Sequence, residues 1–275
     1  MRNLQRAVLA ALLAFSLPAI ASQAIAFITN LRGDVALDGN PRPLLLAELN
    51  RGQRITLGRD ASASVMFIAS GKEYLLKGPA EYQVKDTEMA GSTPMPPLVR
   101  STDWRASNKV LVQVARTSAA SVRMRSIDRT KAQPRLVFPV EGSIATLQPT
   151  FRWRAAPHET GELAIHAIGE EKPVHVAKVS GASYRLPVPL KPGSGYAWTY
   201  AVAGNEVGSG RFSTVTADAL QQVELRRPAD KAEFSDRVLF ALMLREMGAM
   251  QEAREEWASL AAERSDLPEL AAMAK

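Results

Sequence analysis

Residues 190–203 read LKPGSGYAWTYAVA. Tyr196, Trp198 and Tyr200 recur with a period of two, which puts three aromatic rings on one face of a strand. Pro192, Gly193 and Gly195 just ahead of them supply turn chemistry. A strand with one aromatic face must bury that face against a second layer, so the neighbouring sequence should contain a second sheet.

It does contain further strand-like runs. PRLVFPVEG, QPTFRWRA, ELAIHAIG, PVHVAKV, ASYRLPV, GYAWTYAVA and VGSGRFSTV follow one another from Pro134 to Val215, with turn residues between them. Seven short strands are the count expected of an immunoglobulin-like β-sandwich. Phe151 and Trp153 alternate with Arg152 and Arg154, so one face is buried and the other wet. Leu190, Pro192 and Tyr196 resemble the Leu-x-Pro-x-x-x-Tyr corner of the fibronectin type III family, and Trp153 resembles its buried strand tryptophan. The resemblance implies a structural role for Trp153, Tyr196 and Trp198, with binding or spacing rather than catalysis. This unit is placed at residues 134–217.

Upstream, residues 22–88 read as a small all-β module. AIAFITNL, DVAL and SASVMFIA are rich in strand formers, and glycines from Gly33 to Gly78 punctuate them at short intervals. Gly33-Asp34-Val35 resembles the opening of the FecR domain family. So do Leu49, Gly52 and Ile55, then Ala61-Ser62-Ala63 with Val65 and Phe67, Ser70-Gly71, and Gly78-Pro79-Ala80 with Tyr82 and Val84. The best-known members of that family join the domain to a membrane helix and a cytoplasmic segment that controls a sigma factor; neither is legible here. Arg32-Gly33-Asp34 is an adhesion tripeptide by spelling, and in this setting reads as a turn between two strands.

The first 21 residues have the order of a secretory signal peptide: Arg2 and Arg6, an apolar run from Ala7 to Leu17, then Ala19-Ile20-Ala21 for cleavage. The alternative is a retained N-terminal anchor. There is no cysteine, which excludes disulfides, thiolate chemistry and a lipid-anchored N-terminus. The net charge of +6 falls by two when Arg2 and Arg6 leave. The remaining basic excess lies mostly between Arg100 and Arg135, without the aromatic interleaving that stacks bases, so no nucleic acid is expected. Residues 89–133 read as a linker, Met89 to Asp103 with three prolines, followed by a helix from Trp104 to about Met124, for which the β-branched VLVQV run leaves a strand as the alternative.

From residue 218 to 275 the apolar period lengthens to that of a helix. Phe234, Val238, Leu239, Leu242 and Met243 have three-four spacing, with Asp230 placed in the first turn and Gly248 at the end. A second helix follows, then LPELAAMA. Ala241, Leu244, Gly248, Ala253 and Trp257 resemble one tetratricopeptide unit, with Ser265 at the place of that family's proline. A helical hairpin of ordinary type is the alternative. A single unit leaves an apolar stripe to be covered. Phe240, Leu244, Trp257 and Leu260 are therefore expected to dock on the sandwich, a second copy of the chain or a partner protein.

Together these readings imply a multi-domain, mainly β chain with an α tail. Its expected role is an exported, non-enzymatic binding or scaffold protein of the bacterial cell envelope, in protein–protein interaction or envelope signalling. The alternative is a carbohydrate or peptidoglycan binder using Trp104, Trp198 and the basic stretch. No acyl-transfer, phosphate-cradling or zinc-protease motif is present, GSG at Gly208–Gly210 reads as a turn, and no cofactor is implied. A metal site would have to use His166 and His175, placed opposite each other if Glu170-Glu171 centres a hairpin turn, with His158 or Glu162 as third ligand.

Overall fold

The computed structural model describes residues 24–91, 96–101 and 135–275; the signal peptide expected over 1–21 and the helix expected over 104–124 lie outside the described residues. The first unit comprises β1 (Ala26–Arg32), β2 (Val35–Leu37), β3 (Glu48–Leu49), β4 (Arg54–Leu57), β5 (Ser62–Phe67), β6 (Lys72–Lys77), β7 (Ala80–Val84), β8 (Met89–Gly91) and β9 (Leu98–Ser101). They form a five-stranded sheet in the order β3-β1-β5-β6-β9 and a four-stranded sheet in the order β2-β4-β7-β8. Part of the stretch read as linker is thus in sheets. Met89 pairs with Val84, and Arg100 with Glu73. Pro96 and Pro97 stand just before β9, where no ladder hydrogen bond is needed.

The two sheets differ in burial. β4 alternates exposed and buried, as a one-faced strand should. β1 and β5 are buried at consecutive residues, so both faces of the larger sheet are covered. In β5, Ser64 and Met66 are buried along with Ala63, Val65 and Phe67.

The second unit comprises β10 (Leu136–Phe138), β11 (Ser143–Ile144), β12 (Thr150–Trp153), β13 (Thr160–Ala167), β14 (Pro173–Ser180), β15 (Ser183–Arg185), β16 (Gly195–Val202) and β17 (Asn205–Thr214). Its sheets run β10-β12-β15 and β11-β17-β16-β13-β14, around a separate core that includes Phe151, Trp153, Trp198, Tyr200 and Phe212. Each of the seven expected runs holds a strand; β11, two residues long, was not legible as one. Gly208 and Gly210 lie inside β17 rather than in a turn. A Cβ on Gly210 would stand 2.8 Å from Trp198 Nε1 and 3.1 Å from the Pro139 carbonyl oxygen, so glycine here admits a close approach of backbone and indole.

Four helices close the chain: α1 (Ala217–Arg226), α2 (Phe234–Glu246), α3 (Met250–Glu263) and α4 (Pro268–Met273). α1 was not anticipated; Thr216 caps it by accepting a hydrogen bond from the Ala219 N–H. α2 starts at Phe234, so Asp236 rather than Asp230 occupies its first turn. α2 is buried at Phe234, Ser235 and every position from Val238 to Leu244, around its full circumference. Such a helix needs partners on all sides. α1 and α3 supply some, and the five-stranded sheet of the first unit, through β1, supplies another.

This corrects the reading of the tail stripe. Phe240, Leu244, Trp257 and Leu260 are at most 5% exposed and belong to one continuous core with Phe27, Met66 and Val65 of the first β unit. The stripe is buried within the chain, in a core shared with the first β unit and with Ala145 and Val215 of the second, and these four side chains are not available to a partner in this conformation.

A buried polar network pins the same contact. Glu73, fully buried, accepts from Thr29 Oγ1 at 2.8 Å and from Arg100, its cross-strand neighbour. Arg100 continues to Asp236 at 2.8 Å and Ser235 at 2.9 Å, at the start of α2. Burial alone would lower the Arg100 pKa, but its bond to Asp236 and the charge of Glu73 outweigh that and raise it. At the far end Arg264, 4% exposed, donates to Asn30 Oδ1 at 2.8 Å and to the Leu31 carbonyl.

Two outcomes follow for stability. Arg100→Ala strands a buried carboxylate and should cost about 3–5 kcal/mol, read by urea denaturation. Truncation after Val215 should expose the first unit's strands to protease while the second unit, with its own core, stays resistant. Equal resistance of both units would disprove the shared core.

Candidate functional site

A row of polar contacts joins the second β unit to the tail. Gly248 ends the α2–α3 turn at φ 78°, and its carbonyl accepts from the Ser143 N–H at 3.2 Å. Gln251 spans the loop after β10: its Oε1 accepts from the Val140 N–H at 2.6 Å and its Nε2 donates to the Val137 carbonyl at 3.1 Å. Glu252 Oε2 accepts from the Ala145 N–H at 2.6 Å. Glu255 is ion-paired with Arg152 of β12. All three side chains come from the first turn and a half of α3, which meets β11 end-on.

Beside this seam lies a cleft of about 200 Å³, lined by Ala145, Arg227, Phe240, Leu244, Glu252, Glu255 and Glu256. Arg227 lies over the Phe240 ring, 5.7 Å from its centroid, and pairs with Glu224. Glu256 pairs with Arg237 at 2.8 Å. Burial pushes the Glu252 carboxyl up to about 7, with Glu255 adding to the rise and the Ala145 N–H and Arg227 opposing it. A broader groove of about 570 Å³ runs over β16 and β17, lined by Ala197, Thr199, Ser209 and Arg211 among others.

The residues singled out from sequence fall into two cores. Trp153, Tyr196 and Trp198 lie in the second unit, each no more than 2% exposed. Trp153 packs 4.8 Å from the Tyr200 ring, and Phe151 packs 4.8 Å from Trp198. Trp198 Nε1 donates to the Pro139 carbonyl at 2.6 Å, so this indole has no free face for a sugar. Trp104 lies outside the described residues, as does most of the basic stretch.

The histidines do not converge. The ladder of β13 and β14 pairs Ile165 with His175 and His166 with Pro173, with an irregularity between them. Ile165 is buried, so His175 shares the inward face, where it stacks on Tyr184 and its Nε2 bonds the Tyr184 hydroxyl at 2.7 Å. His166, one residue on, takes the other face. The premise of an opposed pair was wrong because the hairpin is not centred on Glu170-Glu171: on neither side of the irregularity does the register set His166 opposite His175. Among the described residues no group of three or more His, Asp or Glu side chains is gathered as a metal site.

A paired device was missed. Tyr196 Oη accepts from the Lys191 N–H at 2.8 Å, five residues upstream. In the first unit Tyr82 Oη donates to the Lys77 carbonyl at 2.8 Å, also five residues upstream. Both loops hold Pro and Gly between the lysine and the tyrosine, as Lys77-Gly78-Pro79 and Lys191-Pro192-Gly193. That repeated K…P/G…Y spacing was the signal by which Tyr82 could have been found.

No protein-family model matches the chain, and no curated protein matches it with significant similarity.

Tyr196→Phe removes the acceptor of the Lys191 N–H and should cost about 1–3 kcal/mol by thermal or urea unfolding. Tyr82→Phe should behave alike. A melting curve unchanged from wild type would show that the hydroxyl is not needed to close the loop.

Proposed function

We propose that this chain is an exported, non-enzymatic binding and scaffold protein of the bacterial cell envelope, with a FecR-like first unit and a fibronectin type III-like second unit mounted on a helical tail. The observation that carries the reading is the burial of the tail stripe inside the chain. Phe240, Leu244, Trp257 and Leu260 join the first β unit's core while α3 grips the second unit by its backbone, so the tail holds two β units in one body. A body of that kind presents sheet faces and edges to partners.

Further support comes from particular residues. The Tyr196–Lys191 bond and the buried Trp153 suit the fibronectin-like reading. The turns at Gly33, Gly52 and Gly71, each with positive φ, suit the FecR-like one. At Arg32-Gly33-Asp34 the chain leaves β1 with Gly33 at φ 73°, as a turn favours, and the Asp34 carbonyl accepts from the Gly58 N–H at 2.8 Å, continuing the β2–β4 ladder. No helix among the described residues is long and apolar enough to cross a membrane. Binding is assigned to the β units, where Ile168, Val174 and Val176 are large exposed apolar side chains around the β13–β14 hairpin.

Two measurements test the reading. Protein expressed with its own first 21 residues should be recovered from the periplasm starting at Ser22, by intact mass. Crosslinking in intact envelopes should then give protein adducts at the exposed Lys172 and Lys178 of the hairpin. Recovery only from the cytoplasm with Met1 retained overturns export. Capture of peptidoglycan fragments without protein adducts moves the chain to the polymer-binding class.

A further inference from the structure

We infer that β9 is a strap over the edge of the five-stranded sheet, held there by the tail through Arg100, and that it opens by itself when that hold is lost. The strap draws on contacts that the scaffold reading does not use, and it stands or falls apart from that reading.

β9 has little else to hold it. It is four residues long, pairs with β6 and has no strand on its other side among the described residues. Leu98 is 63% exposed and Val99 is 51% exposed, on opposite faces of the strand, so neither buries much apolar surface. The inner strands of the same sheet differ, since β1 and β5 are buried on both faces.

Arg100 is where β9 is gripped. Its side chain lies between two carboxylates supplied by different elements. On the sheet side Nε donates to Glu73 Oε2 of β6 at 2.8 Å, and Nη2 bonds the same oxygen. On the helix side Nη1 donates to Asp236 Oδ2 at 2.8 Å, while Nη2 lies 3.0 Å from Asp236 Oδ1 and 2.9 Å from Ser235 Oγ. All three nitrogens of the guanidinium are engaged. The two-point contact with Asp236 is the strong form of a charge-assisted hydrogen bond, and it ties the strand to an element outside its own sheet.

The two sides of the grip are not equivalent. When β9 leaves, β6 becomes the edge, and water can take the place of Arg100 at Glu73. The contact with α2 is what makes leaving costly, because it fixes β9 to the body of the tail, which shares its core with the first β unit. Closed, β9 covers the β6 edge. Open, it leaves the six residues Lys72–Lys77 with a free row of N–H and C=O groups, a template for an extended strand from elsewhere.

Hydrogen exchange on the full chain tests this by comparing the protected amides of β9 with those of β5. In wild type the β9 amides should exchange through a local opening, faster than those of β5 and with little dependence on urea. Asp236→Ala removes the two-point contact and should speed that opening by about 10- to 100-fold, the range for hydrogen bonds to a charged group. Leu98→Ala, at an exposed position, should change it by less than about threefold. Wild-type β9 amides that exchange together with β5, with the same protection and the same urea dependence, overturn the strap. So does an opening that Asp236→Ala leaves unchanged, or one that Leu98→Ala speeds as much, since packing rather than the arginine would then hold the strand. Should Asp236→Ala not fold, the wild-type comparison still decides, and Asp236→Asn, which keeps the shape but not the charge, is read in the same way.

Discussion

Helix α2 is apolar on every side, and the rest of the chain is arranged so that every side is covered. Its sequence FSDRVLFALMLRE leaves Val238 to Leu244 without a polar face. A helix of this kind has no stable position at a surface, because each large side chain left in water forgoes about 1.5–3 kcal/mol. α1 and α3 cover part of it. The five-stranded sheet covers the remainder, and that explains why β1 and β5 are buried on both faces while β4 is not. The contact costs the sheet some polar accommodation: Thr29 and Glu73 face the helix side and must be satisfied there. Arg100 does so, with Ser235 and Asp236 at the beginning of α2.

What could be read from sequence follows the reach of the interactions involved. The second β unit was legible because its signals are local. Alternation at Phe151 and Trp153 and at Tyr196, Trp198 and Tyr200 states directly which face is buried, and the partners of those faces are strands of the same unit. The tail was legible as helix, and its apolar stripe as something needing cover. Its mate was not legible, since β1 lies some two hundred residues earlier and a one-dimensional pattern carries no address. The same limit hid β8 and β9. Met89–Gly91 and Leu98–Ser101 are short, flank prolines and become strands only because β7 and β6 offer free edges. The histidine geometry failed for a smaller reason: the hairpin turn is not centred on Glu170-Glu171, and no composition signals where its centre falls. The seam was illegible altogether: nothing in MQEAREEW distinguishes Gln251 and Glu252 from the solvated glutamates beside them.

The two tyrosine corners show how a local motif can be both readable and overlooked. In each β unit a tyrosine near the start of a strand ties its hydroxyl to the backbone of a lysine five residues before it. The turn between must be tight, and glycine and proline make it so. At Gly78 a Cβ would stand 2.0 Å from the Gly58 carbonyl oxygen, so this loop passes directly against its neighbour. The hydroxyl ties one backbone group at the head of the turn, the Lys77 carbonyl in the first unit and the Lys191 N–H in the second. Tyr196 was noticed through a family resemblance, whereas Tyr82 needed only the comparison of one loop with the other.

The tail binds its two neighbours with different chemistry, and the difference decides which contact can change. Against the first β unit it shares a continuous apolar core reinforced by the buried Glu73–Arg100–Asp236 network and by Arg264. Separating those surfaces would expose the whole of α2 and leave charged groups unpaired in the interior, so the first unit and the tail behave as one folding unit. Against the second β unit the contact is a row of side-chain to backbone hydrogen bonds from one turn of α3, with Ala145 and Val215 as the apolar residues of that unit that reach the shared core. Each of those bonds can be exchanged for one to water at a net cost near 1 kcal/mol. The second unit has its own aromatic core and loses little by moving. The seam at Gly248, Gln251 and Glu252 is therefore the contact that costs least to break, and the contact between the first unit and the tail costs more.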